Sequence, residues 1–298
     1  MEEIVQYLKP EVVAQLASME LRARLVVEGF ITGLHRSPYH GFSVEFSEHR
    51  QYMPGDEIKH IDWKAYAKTQ RYYVKQFEEE TNLKAYLILD ASRSMAYASE
   101  GRISKLTYAS YLAAALAYLM TEQRDAVGLV VYADSTRVYQ PPRASRPYLR
   151  KLLGELQRLE PSGVTHTAPT LHAIAERIKR RGLVILLSDL FDDPDSVLTA
   201  LKHFRHRGNE VLVLQVLDPM EKSFAFGGDA VFRDLETEEE LVTQPWHVQH
   251  AYQQAFGDFL GRLRTECREN RIDHVLLDTG TPFDRALFEY LNTRKRMP

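Results

Sequence analysis

Cysteine is almost absent from this sequence, and so are other features that would place the chain in a specialised class. Its 298 residues include one cysteine, Cys267, so no disulfide can form within the chain, and we interpret this residue as a half-buried structural thiol. No apolar run approaches the ~20 residues that a membrane-spanning helix needs. The acidic start, Met1-Glu-Glu-Ile, lacks the pattern of a secretion signal. We therefore expect a cytoplasmic protein without a membrane span.

An excess of positive charge is also missing. The chain has 38 Lys and Arg residues against 41 Asp and Glu residues, which makes the formal net charge −3. Nucleic-acid-binding proteins usually carry a concentrated basic face. The basic run at residues 179–181 precedes Gly182 at the end of a predicted helix, where cations suit the helix dipole and glycine suits the C-cap. We predict no nucleic-acid partner.

From Lys84 onward, apolar strands alternate with helices. Strands are predicted at Ala85–Leu89, Ala126–Tyr132, Leu183–Ser188, Glu210–Leu217 and Asp273–Leu277, and helices at Ser104–Gln123, Pro147–Leu159, Ala168–Arg180, Pro194–Arg205, Val248–Asn270 and Phe283–Arg294. Most of these strands lack in–out alternation, which is typical of parallel strands covered on both faces. Thr136–Tyr139 is expected to return as an antiparallel edge strand, and residues 221–247 to form a long irregular excursion. The pattern predicts an α/β fold with a doubly wound, mostly parallel sheet.

The first 80 residues have a different pattern. Val12–Phe30 has the apolar spacing of an amphipathic helix, residues 42–46 alternate like a half-buried strand, and residues 71–78 are again extended. We predict two domains: an N-terminal helix with a small β-rich module at residues 1–80, and the α/β domain at residues 81–298.

Polar side chains lie where the predicted strands end. Asp90, Ser92 and Ser94 begin at the carboxyl end of the first strand, and Asp189 follows the third. Thr165 lies in a loop just before a helix. The carboxyl ends of parallel strands meet at one edge of the sheet, which is where such folds bind ligands. These five side chains would form a set made entirely of oxygen donors.

Oxygen donors of this kind suit hard cations, magnesium first, with manganese or calcium as substitutes. Magnesium prefers octahedral ligands at ~2.0–2.1 Å, so two carboxylates and three hydroxyls leave a position for water or a foreign ligand. A carboxylate of a partner protein is a natural occupant. Thr167 is a rival to Thr165 for the threonine position.

No catalytic base accompanies this set, and the sequence has no Walker A run, no G-x-S-x-G elbow and no H-E-x-x-H motif. We therefore predict protein binding rather than catalysis, with no catalytic residues and no organic cofactor.

The run Asp90-x-Ser92-x-Ser94, together with Thr165 and Asp189, resembles the metal-ion-dependent adhesion site of von Willebrand factor A domains and integrin inserted domains. This resemblance implies a von Willebrand factor A-like fold. It also implies that the two serines and the threonine contact the metal directly or nearly so, while the aspartates act through water.

A second resemblance comes from Tyr-Met-Pro-Gly-Asp at residues 52–56, Ile-Asp-Trp-Lys at 61–64 and Val-Lys-Gln-Phe-Glu at 74–78. These segments are similar to a signature of the bacterial domain of unknown function family 58, in which it precedes an A-type domain. Members often occur beside MoxR-type AAA+ ATPases, so the resemblance implies such an ATPase, or its client, as partner. For residues 54–63 we favour a structural role, a turn and a core tryptophan, over catalysis.

Three other interpretations stay open. Asp90 could be the nucleophile of a magnesium-dependent, phosphatase-like hydrolase, as in haloacid dehalogenase-like phosphatases. Those enzymes place an acid two residues further on, and Ser92 cannot supply comparable acid catalysis. Alternatively, a metal only stabilises the fold, or Ser92 and Ser94 merely cap the next helix and bind nothing.

Overall fold

The computed structural model describes residues 10–14, 18–36, 50–51, 66, 70, 72–74, 83–163, 167–226, 230–235 and 238–295. The strands are β1 Arg50–Gln51, β2 Tyr73–Val74, β3 Lys84–Asp90, β4 Ala126–Tyr132, β5 Thr136–Arg143, β6 Leu183–Ser188, β7 Glu210–Leu217, β8 Ala230–Arg233, β9 Glu240–Thr243 and β10 Asp273–Asp278. The α-helices are α1 Pro10–Ala14, α2 Met19–Arg36, α3 Lys105–Glu122, α4 Arg146–Gln157, α5 Thr167–Arg177, α6 Pro194–His206, α7 Pro219–Ser223, α8 Pro245–Glu269 and α9 Phe283–Lys295.

The chain divides into two compact units. One consists of residues 1–33 with residues 83–298, and the other of residues 34–82. In the smaller unit, β1 pairs antiparallel with β2, and the rings of Tyr66 and Tyr72 stack with centroids 4.5 Å apart. The segment at residues 54–63 lies outside the described residues, so our interpretation of it stays a prediction.

The sheet of the larger unit has six strands in the order β10-β7-β6-β3-β4-β5. All neighbours are parallel except β5, which runs antiparallel to β4 at the edge. From the central β3 the chain moves outward to β4 and β5, and then returns to β6 on the other side of β3. This reversal is the topological switch point of a doubly wound sheet, where ligands of such folds bind. The predicted α/β class, mostly parallel sheet and antiparallel edge strand are confirmed.

Helices cover both faces of this sheet. On one face, side chains of α5, α6 and α8 such as Ile174, Leu201 and Leu263 form a core with Ile88 and Leu186 of the strands. Alternate strand residues point to the other face, where α3 contacts β3, β4 and β7 while α9 contacts β7 and β10. Burial on both faces explains why the strands show continuous apolar runs.

The sequence pattern misplaced some helix boundaries. At the N-terminus, the single predicted helix is replaced by α1 and α2, and the amide of Leu21 donates to Ser18 Oγ at 3.2 Å at the start of α2. Helix α8 begins at Pro245, earlier than predicted, because proline suits the first position of a helix. Cys267, on α8, is fully buried rather than half-buried.

Two further interpretations were wrong. Helix α5 ends at Arg177, so Gly182 is not its C-cap; a Cβ on this glycine would lie 2.0 Å from the carbonyl oxygen of Lys84 in β3. The excursion at residues 221–247 is not irregular throughout, since β8 and β9 form an antiparallel hairpin. None of the helices in the described ranges is long and apolar enough to cross a bilayer.

Candidate functional site

Strand register brings the polar residues at the switch point together. Asp90 is aligned with Tyr132 of β4, and Leu89 with Leu187 of β6, so Ser188 and Asp189 follow at the same sheet edge. The predicted convergence of Asp90 and Asp189 on one sheet edge therefore holds in the structure.

Asp90 is fully buried and accepts hydrogen bonds on both carboxylate oxygens. Its Oδ1 accepts from the amide of Ser92 at 2.9 Å, and its Oδ2 accepts from Ser188 Oγ at 2.8 Å and from the Tyr132 hydroxyl at 3.3 Å. Burial, followed by the charge of Asp189, raises the pKa of Asp90 to about 6, although its hydrogen bonds oppose this. The ionised carboxylate thus lies where positive charge would be favourable.

Ser92 and Ser94 stand beside this carboxylate. Their hydroxyl oxygens are 3.0 Å apart, with Ser92 buried and Ser94 partly exposed. A short 3-10 helix at Arg93–Ala96 carries Ser94, and the Ser92 side chain makes no capping hydrogen bond to it. The amide of Arg93 donates to the carbonyl of Gly163 at 3.2 Å, which holds this loop in place. Helix capping therefore does not account for the Ser92 hydroxyl.

Asp189 is bound to a buried lysine that the sequence interpretation missed. Lys105 Nζ, on α3, lies 2.7 Å from Asp189 Oδ2 and 2.6 Å from Glu221 Oε1. Burial lowers the pKa of Lys105, but the two carboxylates outweigh this and raise it above its ordinary value. One signal was available: Lys105 is the only charged residue in the apolar stretch 105–120, so it has no solvated helix face to occupy.

Glu221 belongs to a second set of contacts that fixes the chain after β7. Its Oε2 accepts from the amide of Asp218 at 2.8 Å, while Asp218 Oδ1 accepts from the amide of Met220, forming a capping box at the start of α7. Asp218 Oδ2 also accepts from the amide and hydroxyl of Ser99, at 2.9 and 3.0 Å. The loop after Ser94 and the start of α7 are thereby joined.

Of the two threonine candidates, the structure describes Thr167 but not Thr165. Thr165 lies outside the described residues, so its role stays a prediction. Thr167 is buried, and its amide donates to Asp192 Oδ2 at 3.0 Å, whereas its hydroxyl makes no hydrogen bond of normal geometry within the described residues. Asp193 caps α6 by accepting from the amide of Ser196 at 2.9 Å.

The side-chain oxygens at this sheet edge suit a hard cation, and hydroxyl groups would supply several of its ligands. Neighbouring ligands of an octahedral ion bound at about 2.0–2.1 Å lie about 3 Å apart, and the hydroxyls of Ser92 and Ser94 have that separation. In the described part of the chain, no three His, Cys, Asp or Glu side chains group as a metal site. An ion here would therefore rely on hydroxyl groups and water in addition to the carboxylates of Asp90 and Asp189.

His274 is linked to Asp189 by hydrogen bonds through Gln215. Gln215 Nε2 donates to the carbonyl of Asp189 at 2.9 Å, and Gln215 Oε1 lies 2.9 Å from His274 Nε2. Because an amide oxygen only accepts, His274 is the donor in this pair. Burial, together with the charge of Arg264, lowers the pKa of His274 to about 4.

We predict that acid destabilises the protein through His274. A histidine whose pKa falls on folding stabilises the fold while it is neutral, so this contribution is complete above about pH 6.5 and is lost toward pH 4. It should fall by about 2 kcal/mol between pH 7 and pH 5. Urea unfolding at both pH values should show a smaller loss for His274→Gln than for the native chain. The exposed control His250→Gln should keep the native profile; identical losses in all three proteins would contradict the assignment.

The chain is similar to several uncharacterized proteins. Uncharacterized proteins of Mycobacterium bovis and Mycobacterium tuberculosis are each 28% identical over 231 residues, which cover 76% of this chain and 72% of theirs. Among solved structures, the conserved hypothetical protein BatB from Bacteroides thetaiotaomicron is similar at a TM-score of 0.48 and 18% identity, covering 72% of this chain and 99% of that one. An aerotolerance-related membrane protein from Bacteroides fragilis is similar at 0.47 and 19%, covering 70% and 98%.

A protein-family model also matches this chain. It matches residues 48–258, which is more than half of the chain and includes β3 to β9 with the polar residues at the switch point. The chain therefore belongs to the family described as protein of unknown function DUF58.

Proposed function

We propose that this chain is a metal-ion-dependent protein-binding module with a von Willebrand factor A-like fold. Magnesium, or manganese or calcium in its place, binds at Asp90, Ser92, Ser94, Thr165 and Asp189. A carboxylate of a partner protein completes the coordination of the ion.

One observation carries this proposal: the geometry around Asp90. A fully buried carboxylate lies beside two hydroxyls that are 3.0 Å apart, at the switch point of the sheet. Lys105 pairs with Asp189 and with the partly buried Glu221, whereas Asp90 lies near the charge of Asp189. A divalent cation would offset this excess of negative charge.

The nature of the partner follows from the charge of such an ion and from the family. The carboxylates and hydroxyls leave a coordination position open, and because Lys105 already neutralises Asp189, the ion would keep a net positive charge. An acidic residue of another protein is therefore the expected contact. The resemblance to the family that occurs beside MoxR-type AAA+ ATPases makes such an ATPase, or its client, our proposed partner. The proposed location is the cytoplasm.

Magnesium should stabilise the native chain and not a serine-free site. A ligand at one hundred times its Kd adds about 2.7 kcal/mol to the free energy of unfolding. We expect this gain in thermal melts of the native chain and its absence in the double variant Ser92→Ala/Ser94→Ala. The matched control is Ser135→Ala/Ser145→Ala, which removes two exposed hydroxyls and should respond like the native chain. Equal stabilisation of both double variants would disprove the site.

Partner binding is tested with a purified MoxR-type ATPase in magnesium and in EDTA. The proposal requires a complex that forms with magnesium, is lost in EDTA, and is lost with Ser92→Ala/Ser94→Ala. A metal response in the melts without any metal-dependent complex would point instead to an ion that only stabilises the fold. Magnesium-dependent phosphatase turnover that disappears in Asp90→Asn would favour the hydrolase over the binding module.

A further inference from the structure

We propose that Lys105 sets the metal affinity of this site by holding Asp189 away from direct coordination and by placing a positive charge next to the ion. This inference rests on the proposed function. Lys105 is then a positioning residue. It keeps magnesium weakly bound and its charge incompletely neutralised, so the ion still attracts a partner's carboxylate.

Asp189 makes a hydrogen bond with each of its two carboxylate oxygens. Its Oδ2 is 2.7 Å from Lys105 Nζ, and its Oδ1 accepts from the amide of Phe191 at 3.2 Å. Both oxygens thus already have partners within the protein. A magnesium ion near Asp90 would then reach Asp189 through a water molecule, which the carboxylate can still bind with its remaining lone pairs.

The surroundings of Lys105 indicate a place built for an ammonium group. The side chain is 1% exposed, and that of Glu221 is 16% exposed. Besides the two carboxylates, the ring of Phe191 lies 5.0 Å from Nζ, within the range of a cation–π contact. Burying an ionic group with its partners is costly, and apolar side chains at all three positions would avoid that cost. A role in controlling charge gives this position a reason to be lysine.

The sign of a nearby charge determines whether magnesium binds more weakly or more tightly. In an interior of low dielectric constant, a unit positive charge close to a divalent cation weakens the binding of that cation, and a unit negative charge strengthens it. Two other cations near the strand ends in the described ranges are already paired: Lys222 with Asp278 at 2.6 Å, and Arg93 with Glu238 at 3.6 Å. Removing Lys105 should therefore tighten magnesium binding, whereas neutralising Glu221 should weaken it.

The test is calorimetric titration of magnesium chloride alone into the full chain. We expect Lys105→Met to bind magnesium at least about tenfold more tightly than the native chain, and Glu221→Gln about threefold or more weakly. Lys202→Met is the matched control, because Lys202 pairs with Glu266 on a partly exposed surface, and it should keep the native affinity. Circular dichroism confirms that each variant is folded before titration.

The outcomes separate this inference from the proposed function. If the native chain binds no magnesium, the proposed function fails. If the native chain binds magnesium but Lys105→Met binds it equally or more weakly, the role of Lys105 is disproved. Should Lys105→Met fail to fold, Glu221→Gln decides: weaker magnesium binding supports the inference, and unchanged or tighter binding overturns it.

Discussion

Replacing Lys105 with methionine is expected to lower the free energy of unfolding by about 3–5 kcal/mol in the absence of metal. The variant leaves Asp189, which is fully buried, and Glu221, which is partly buried, without their shared counter-charge. Removing one member of a buried ion pair costs far more than the pair itself contributes, because the remaining charge stays desolvated. Chemical denaturation in EDTA at pH 8 measures the loss.

The pH dependence of that loss identifies its cause. Burial already raises the pKa of Glu221 in the native chain, although Lys105 opposes this. Without the ammonium, the carboxylates can escape the cost of burial only by taking up protons, so the deficit should be largest at pH 8 and shrink toward pH 5. Lys202→Met, at the partly exposed pair with Glu266, should cost only about 0–1 kcal/mol. A deficit that is the same at both pH values would indicate lost packing rather than unpaired charge.

Replacing Gly182 with alanine is expected to cost about 3 kcal/mol, because it overpacks the backbone between two central strands. A Cβ at this position would lie 2.0 Å from the carbonyl oxygen of Lys84, an atom fixed in β3. Gly182 cannot move aside freely, since its amide donates to Asn209 Oδ1 at 3.2 Å and its carbonyl accepts from the amide of Glu210 at 3.0 Å. The strain would therefore fall on the β3–β6 pairing, which also positions Asp90 beside Ser188.

A second glycine provides the control with the opposite sign. Gly261 lies inside α8, and a Cβ there would meet nothing within 4 Å. Gly261→Ala should stabilise the protein by about 0.5–1 kcal/mol, because alanine is the better helix former. Thermal melts of the two variants should therefore move in opposite directions. A Gly182→Ala protein that melts with the native chain would show that β3 and β6 adjust without cost.

The sheet and the positions of Asp90 and Asp189 were predictable because they depend on patterns within short segments. A parallel strand buried on both faces is a continuous apolar run, and such runs mark β3, β4, β6 and β7. Strand ends were equally readable, since each run stops where polar residues begin. The hairpin of β8 and β9 was not readable in this way: its apolar residues Val231, Leu241 and Val242 are exposed, so they do not mark a buried face.

The sequence by itself therefore determined the α/β class, the mostly parallel sheet and the presence of an oxygen-rich sheet edge at Asp90, Ser92, Ser94 and Asp189. Only the tertiary structure decided what surrounds those residues. Lys105 is 84 residues from Asp189 and 116 from Glu221, and no local periodicity connects positions so far apart. Their contact depends on α3 packing across the sheet while α7 follows β7, so the positive charge at this edge is a property of the folded chain.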